Sequence, residues 1–327
     1  MFKRGVLLVL ISSFIFSTLA YAAEKFPSRP ITAVVPFGPG GGTDRGARAI
    51  ASAFEKHVGV PMRVVNMPGA GAALGYRFVA ESAPDGYTLI VASPAVITMP
   101  YMYSKEEIGW DADDFDPVAI QQVNYFLVIV SSDSPFKNLN DLVEFGRANP
   151  GKIRYGSDGT GGNAHVGSKT LELAGGFQAT HVPFDTGAEV MSNIMGGHLD
   201  LGVVTVGAGL PLVKGGKLRA LAVGDTTNIP PELNIRTAKE QGVDWDYGMF
   251  RSWMAAKNTP KDRIAWLAEG LKKVVEDPEV RARVEQEGEI PRFMGPEELA
   301  EALKALDKAT GPAVRAIVEE MKASAKK

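Results

Sequence analysis

The 327-residue sequence predicts an α/β protein of two lobes, each a mostly parallel sheet with covered faces, separated by a hinge and a central cleft. Three observations predict it. Short β-branched runs alternate with amphipathic helical stretches as far as Ile229. The length suits about two domains of roughly 150 residues. The composition, 45% hydrophobic and 22% charged with 36 Gly and 21 Pro, is that of an ordinary globular chain and excludes disorder, collagen-like repeats and a multi-span membrane protein. There is no Cys, which removes disulfides, thiolate zinc sites, iron–sulfur clusters, cysteine nucleophiles and a lipid-modified N-terminal cysteine. A formal net charge of −3 leaves no basic face for nucleic acid.

The elements follow in order. Lys3 and Arg4 precede an uncharged run from Gly5 to Leu19, and Ala20-Tyr21-Ala22 supplies small residues three and one positions before a cut, so residues 1–22 read as a signal peptide cleaved near Ala22. The run is too short for a membrane anchor, which needs about 20 apolar residues. The mature chain is therefore expected to be soluble and exported.

Ile31-Thr32-Ala33-Val34-Val35-Pro36 opens the first α/β unit, with a helical pattern at Ala47, Ile50, Ala51 and Phe54. A strand at 62–66, a helix at 72–80 and strands at 87–92, 118–120 and 126–130 follow. A second series begins at about 138, with helices at 139–147, 164–173 and 188–195 and strands at 153–155, 178–182, 199–204 and 218–223. Beyond Ile229 the pattern turns helical, with one apolar stripe from Ile264 to Val275 and another from Leu299 to Met321. These helices have no strand series of their own and are expected to pack back on an existing lobe. With no long linker, the crossings between lobes fall at 121–125 and 222–226. The expected division is a first lobe of residues 23–122 plus 226–327, including the C-terminal helices, and a second lobe of 123–225.

Signatures of catalysis are missing. No Gly-x-Ser-x-Gly elbow occurs, Gly162 and Gly167 are followed by Ser168-Lys169-Thr170 with one residue too many for a phosphate loop, and Thr43 stands where the dinucleotide fingerprint needs its third glycine. The four histidines include no pair three or four residues apart, and the acidic run Asp111–Asp116 lacks the glycine and glutamate of a calcium loop, so neither a metal nor a cofactor is expected. Ser157, His165 and Asp200 could form a triad, but spacing does not show one.

Six segments follow strands that point one way, where ligands bind in α/β sheets: 37–44, 66–71, 93–98, 157–165, 183–187 and 205–209. None contains Lys or Arg, and all are rich in Gly, Ser, Thr, Asn or Asp. The clusters at Phe37, Gly38, Gly41, Gly42, Thr43 and Asp44, and at Ser157, Gly159, Thr160, Gly161, Asn163 and His165, each place bare backbone at a helix start. Unpaired N–H groups there carry about half a positive charge, which suits a carboxylate. Asp44 and Asn163 serve equally as helix caps, His165 as a hydrogen-bonded structural residue, and Phe184 as a pocket wall or a core residue. Ser93, Ala95, Asp185 and Thr205 complete the candidate ligand-binding set.

The chain resembles the periplasmic receptors of tripartite tricarboxylate transporters, the TctC-like or Bug family. The resemblance is carried by Phe26-Pro27-Ser28-Arg29-Pro30-Ile31, Val35-Pro36-Phe37-Gly38-Pro39-Gly40-Gly41-Gly42-Thr43-Asp44, Asn66-Met67-Pro68-Gly69-Ala70-Gly71 and Ala83-Pro84-Asp85-Gly86-Tyr87. It continues through Tyr155-Gly156-Ser157-Asp158-Gly159-Thr160-Gly161-Gly162-Asn163-Ala164-His165, His181-Val182-Pro183-Phe184, Gly196-Gly197-His198-Leu199-Asp200 and Gly215-Gly216-Lys217-Leu218-Arg219-Ala220. It implies a type II periplasmic-binding-protein fold that closes like a flytrap, a small carboxylate gripped by the loops at 37–44 and 157–165, and delivery to an inner-membrane permease. No cofactor is implied, and a monomer is expected. Where the family more often has Val-Pro-Tyr, this chain has Phe184 followed by Asp185. An acid there would repel a second carboxylate or recognise an amine or hydroxyl. Two other readings compete with the receptor: an exported α/β hydrolase using His165, and a sensory ligand-binding module.

Overall fold

The computed structural model describes residues 26–184, 186–225, 229 and 233–324. The leader at 1–22 with its cut near Ala22, and Asp185, lie outside them. The first lobe is built from β1 (Ile31–Val35), α1 (Gly42–Val58), β2 (Met62–Asn66), α2 (Ala73–Ala80), β3 (Thr88–Ala92), α3 (Ala95–Met102) and α4 (Lys105–Ile108). The chain then enters β4 (Phe115–Ser131) and builds the second lobe from α5 (Leu139–Ala148), β5 (Ile153–Ser157), α6 (Asn163–Gly175), β6 (Ala179–Pro183), α7 (Gly187–Met195), β7 (Leu201–Thr205), α8 (Val206–Lys214) and β8 (Leu218–Val223). It returns through β9 (Gly248–Ala256), α9 (Lys261–Val275), α10 (Pro278–Gln286) and β10 (Ile290–Met294) to a last long helix, α11 (Pro296–Ser324).

Each lobe holds three parallel strands, β2-β1-β3 in one and β6-β5-β7 in the other. The sheets are less parallel than the alternation predicts, because β9 and β4 run antiparallel to their neighbours. The two strands expected at 118–120 and 126–130 are one continuous strand. The N-terminal part of β4 pairs with β9 and its C-terminal part with β7 and β8, so a single strand belongs to both lobes. Gln121, Gln122 and Asn124 interrupt its apolar sequence and read as a break between two strands, but all three are buried and the strand runs on through them.

Two strands, β9 and β10, lie in the region read as purely helical. Here β9 carries Phe250, Trp253 and Met254 among Arg251 and Ser252, and its burial comes from sitting between β3 and β4. The segment before β9 also differs from expectation. Ala238, Val243, Trp245 and Tyr247 pack in the second lobe's core with Phe126, Leu139 and Val203, so the chain leaves that lobe at Tyr247, later than a crossing at 222–226.

The first lobe packs α1 against α9 on one face, where Ile50 and Phe54 meet Leu267 and Leu271. Tyr76, Trp110 and Phe115 fill the other face. In α11, Leu299 and Leu306 lie in this second face while Ala313, Val314 and Ile317 lie in the core of the second lobe. The helix thus ties the lobes together, with Pro312 at the change of lobe. Among the described residues no helix is long and apolar enough to cross a membrane.

Candidate functional site

The loop after β1 is shaped by Asp44. Its carboxylate accepts from Gly40 N at 2.8 Å, from Asn66 Nδ2 at 2.9 Å and from Arg48 Nε at 3.0 Å. Burial would push this carboxyl up, but Arg48 and the Gly40 and Asn66 donors outweigh it and hold it down at about 2. Asn66 also donates to Phe37 O at 3.0 Å, closing the loop onto the end of β2. Asp44 is therefore a clamp that faces into its own loop, and the N-cap of α1, Gly41, has no side-chain cap.

The matching loop in the second lobe leads from β5 into α6, whose N-cap Gly162 is likewise without a side-chain cap. Gly161 holds a positive φ of 79°, with the Met102 thioether from the end of α3 packed against it. Gly161 N donates to His165 Nδ1 at 3.0 Å, and the His165 ring stacks on His181 with centroids 3.7 Å apart. His181 Nε2 and Ser157 Oγ lie 2.7 Å apart, and the Ser157 hydroxyl donates to Gly159 O at 3.0 Å. With that proton so engaged, His181 is the donor to Ser157. Ser157, His165 and Asp200 do not form a triad: His165 is tied to Gly161, and Asp200 pairs with Arg154 at 3.1 Å.

These loops border one cavity of about 550 Å³ between the lobes. Of the sequence-predicted residues, Gly42, Ser157, Asn163 and Thr205 line it. Gly38, Gly41, Thr43, Gly159, Thr160 and Gly161 belong to the loops that carry that lining. Ser93 and Ala95 stand apart from the cavity lining: Ser93 N donates to Tyr76 Oη at 2.9 Å, which anchors the start of α3. Phe184 packs with Val190 and Leu199 in the second core.

Four helices start at this cavity. Residues of the first turn of α1 (Gly42, Arg45), α6 (Asn163, Ala164), α7 (Gly187) and α8 (Gly207, Ala208) all line it. Two starts were legible as glycine clusters. The other two carry threonine caps, with Thr186 Oγ1 accepting from Glu189 N at 3.2 Å and Thr205 Oγ1 from Ala208 N at 3.4 Å. The glycine-capped pair, α1 and α6, has no side chain capping its first N–H groups, and residues of both first turns line the cavity.

The floor and rim of the cavity were not legible in the loops. Asn124 and Phe126 come from β4, Met249 and Arg251 from β9, and Glu287 and Glu289 from the connection between α10 and β10. Arg251 and Glu289, both buried, form an ion pair, and Gln122 Nε2 donates to the same carboxylate. Burial pushes the Glu289 carboxyl up against the pull of Arg251, and lowers the Arg251 guanidinium against the pull of Glu289. Arg45 pairs with Glu287 at 3.0 Å on the rim. Both cations that the six loops lacked are thus present in the cleft, and each is already matched. Among the described residues no cluster of histidine and acidic side chains could hold a metal ion.

A family model described as tripartite tricarboxylate transporter family receptor matches residues 46–317. The chain belongs to this family. A relative from Cupriavidus necator, named UPF0065 protein in gbd 5'region, is 32% identical over 280 residues, covering 85% of this chain and 84% of its own. A TctC solute binding protein from Polaromonas superposes with a TM-score of 0.79 at 26% identity, over 90% of this chain and 99% of that one. MatC from Rhodopseudomonas palustris with bound malate gives 0.70 at 26% identity, over 90% and 100%. A second R. palustris protein, solved with adipate, gives 0.71 at 26% identity, over 90% and 98%. The fold of this family member is therefore that of the periplasmic solute-binding proteins, and the family consists of receptors, not enzymes.

Proposed function

We propose that this TctC-family receptor is exported, loses residues 1–22, binds a small carboxylate in the interlobe cleft by backbone amides and hydroxyls, closes on it, and as a monomer delivers it to a tripartite tricarboxylate-type permease. The observation that carries the reading is the convergence of four helix starts on one cavity, two of them with glycine N-caps and no side chain capping their first N–H groups. A helix start concentrates about half a positive charge without a counterion, so a carboxylate gains there what it cannot gain from Arg45 and Arg251, whose charges their glutamates already offset. The solved relatives that hold malate and adipate support an acid as the ligand. Within the cleft the proposed contacts are Gly42 and Thr43 on one side and Ser157, Asn163 and Thr205 on the other.

The test is a thermal-shift screen of refolded, ligand-stripped protein against carboxylic acids. An acid at about 100 times its dissociation constant should add roughly 2.7 kcal/mol, a rise of several degrees, and be recovered unchanged. Asn163→Ala should weaken that acid about tenfold, roughly 1.4 kcal/mol, while the unliganded melting temperature stays put. A screen in which no acid raises the melting temperature overturns the reading.

A further inference from the structure

The charges in the cleft sort its ligands further. Three carboxylates line it, Asp158, Glu287 and Glu289, against two guanidiniums, Arg45 and Arg251. Each guanidinium has a carboxylate beside it: Arg45 with Glu287 at 3.0 Å, and Arg251 through Nη1 with Glu289, which also accepts from Gln122, while the buried Arg251 Nε has no hydrogen-bond partner among the described residues. The Arg251–Glu289 pair is largely buried on the first lobe's side of the cleft, with Gly42 at the start of α1 lying against it. The positive ends of α1 and α6 both border this cavity, where they suit a carboxylate.

The rest of the lining is apolar or neutral. Phe126, Val190, Met191, Val204 and Met249 form a hydrophobic wall on the second lobe's side. On the floor stands Asn124, 5% exposed, whose Oδ1 has no hydrogen-bond partner among the described residues. An amide oxygen accepts, so it pairs with a donor such as a hydroxyl, and it carries no charge to offset an anion. A second carboxylate reaching this wall would lose its hydration and meet an excess of negative charge.

We propose that the cleft selects acids with one carboxylate and an uncharged, largely apolar body bearing at most a hydroxyl, and that Glu287 and Glu289 exclude a second carboxylate by offsetting the charges of Arg45 and Arg251. This rests on the reading of the cleft as a carboxylate site. It separates the chain from its neighbours solved with malate and adipate, both of which carry two carboxylates.

Matched acids of equal carbon skeleton decide it. Refolded, ligand-stripped protein is titrated calorimetrically with butyrate against succinate, hexanoate against adipate, and 4-methylbenzoate against terephthalate. The best-bound pair should favour its monoacid at least tenfold. In Glu287→Gln, on the half-exposed rim where folding is not at stake, Arg45 is released and the preference should shrink. Glu289→Gln, isosteric but buried, should shrink it further where the variant folds. A diacid bound as tightly as its monoacid by the wild type overturns the selectivity and leaves the carboxylate reading standing. A preference unchanged in Glu287→Gln overturns the role of the glutamates. Binding of none of the six acids, with none found in the wider screen, overturns both.

Discussion

His165 and His181 show what burial does to a residue that sequence alone offers as a catalyst. Burial lowers the His165 imidazole to about 3, helped by His181 and Lys169, and lowers His181 to about 4, helped by Lys169 and opposed by Glu320. Both rings are neutral at physiological pH, and their hydrogen bonds to Gly161 and Ser157 fix the glycine loop of the second lobe. The unfolded chain takes up protons on these rings near the ordinary value of about 6.5, whereas the folded one takes them up only near 4 and 3. Between those limits the unfolded state binds more protons, so the stability that the rings contribute is complete above about 6.5 and falls as the pH drops toward 4. Urea unfolding at pH 7.5 and 5 should show a loss in the wild type that His181→Gln reduces; an equal loss in the variant would remove His181 from the cause.

At the scale of elements, one irregularity in β4 organises the cleft floor. Its register with β9 shifts between Ile120 and Gln122, and this bulge lets the consecutive residues Gln121 and Gln122 both be buried against α1. Gln121 accepts from Trp253 Nε1 at 2.7 Å, and Gln122 continues the chain of bonds to Glu289. Gly46 of α1 makes the close approach possible, since a Cβ there would lie 2.8 Å from both Gln121 Nε2 and Gln122 Oε1. Gly46→Ala should therefore destabilise the protein by about 1–3 kcal/mol in chemical denaturation, despite the better helix propensity of Ala. A gain in stability would mean that the glutamines yield without cost.

At the scale of the whole molecule, the backbones of the two lobes come close together where two glycines, Gly207 and Gly288, meet. A Cβ on Gly207, at the start of α8, would stand 2.5 Å from Glu287 O and 3.3 Å from Gly288 Cα. The obstacles are backbone atoms of the other lobe, which cannot rotate aside. Gly207 itself has no positive φ, so alanine fits its own helix turn. Gly207→Ala should prop the lobes apart and weaken the bound acid about tenfold or more, roughly 1.4 kcal/mol, with little change in the unliganded melting temperature. Small-angle scattering should give a larger radius of gyration for the liganded variant than for the liganded wild type. Equal radii and equal affinities would show that closure does not need this contact.

Local patterns in the sequence determined most of the elements of the two α/β series, the glycine-capped starts of α1 and α6, and the receptor family, because β-branched runs, 3.6-residue stripes and glycine clusters act through neighbours in the chain. Gly42, Ser157, Asn163 and Thr205 were readable for the same reason: each sits at a strand end or helix start. Only the tertiary structure decided that 118–120 and 126–130 are one strand shared by both lobes, that β9 and β10 exist, and that Arg251 and Glu289 meet beneath α1. Those facts depend on pairing between residues more than a hundred positions apart in β4 and β9, where burial on all sides erases the alternation that marks a strand. The charge balance of the cleft belongs to the same class, since an arginine is a free cation or half of an ion pair according to what the fold sets beside it.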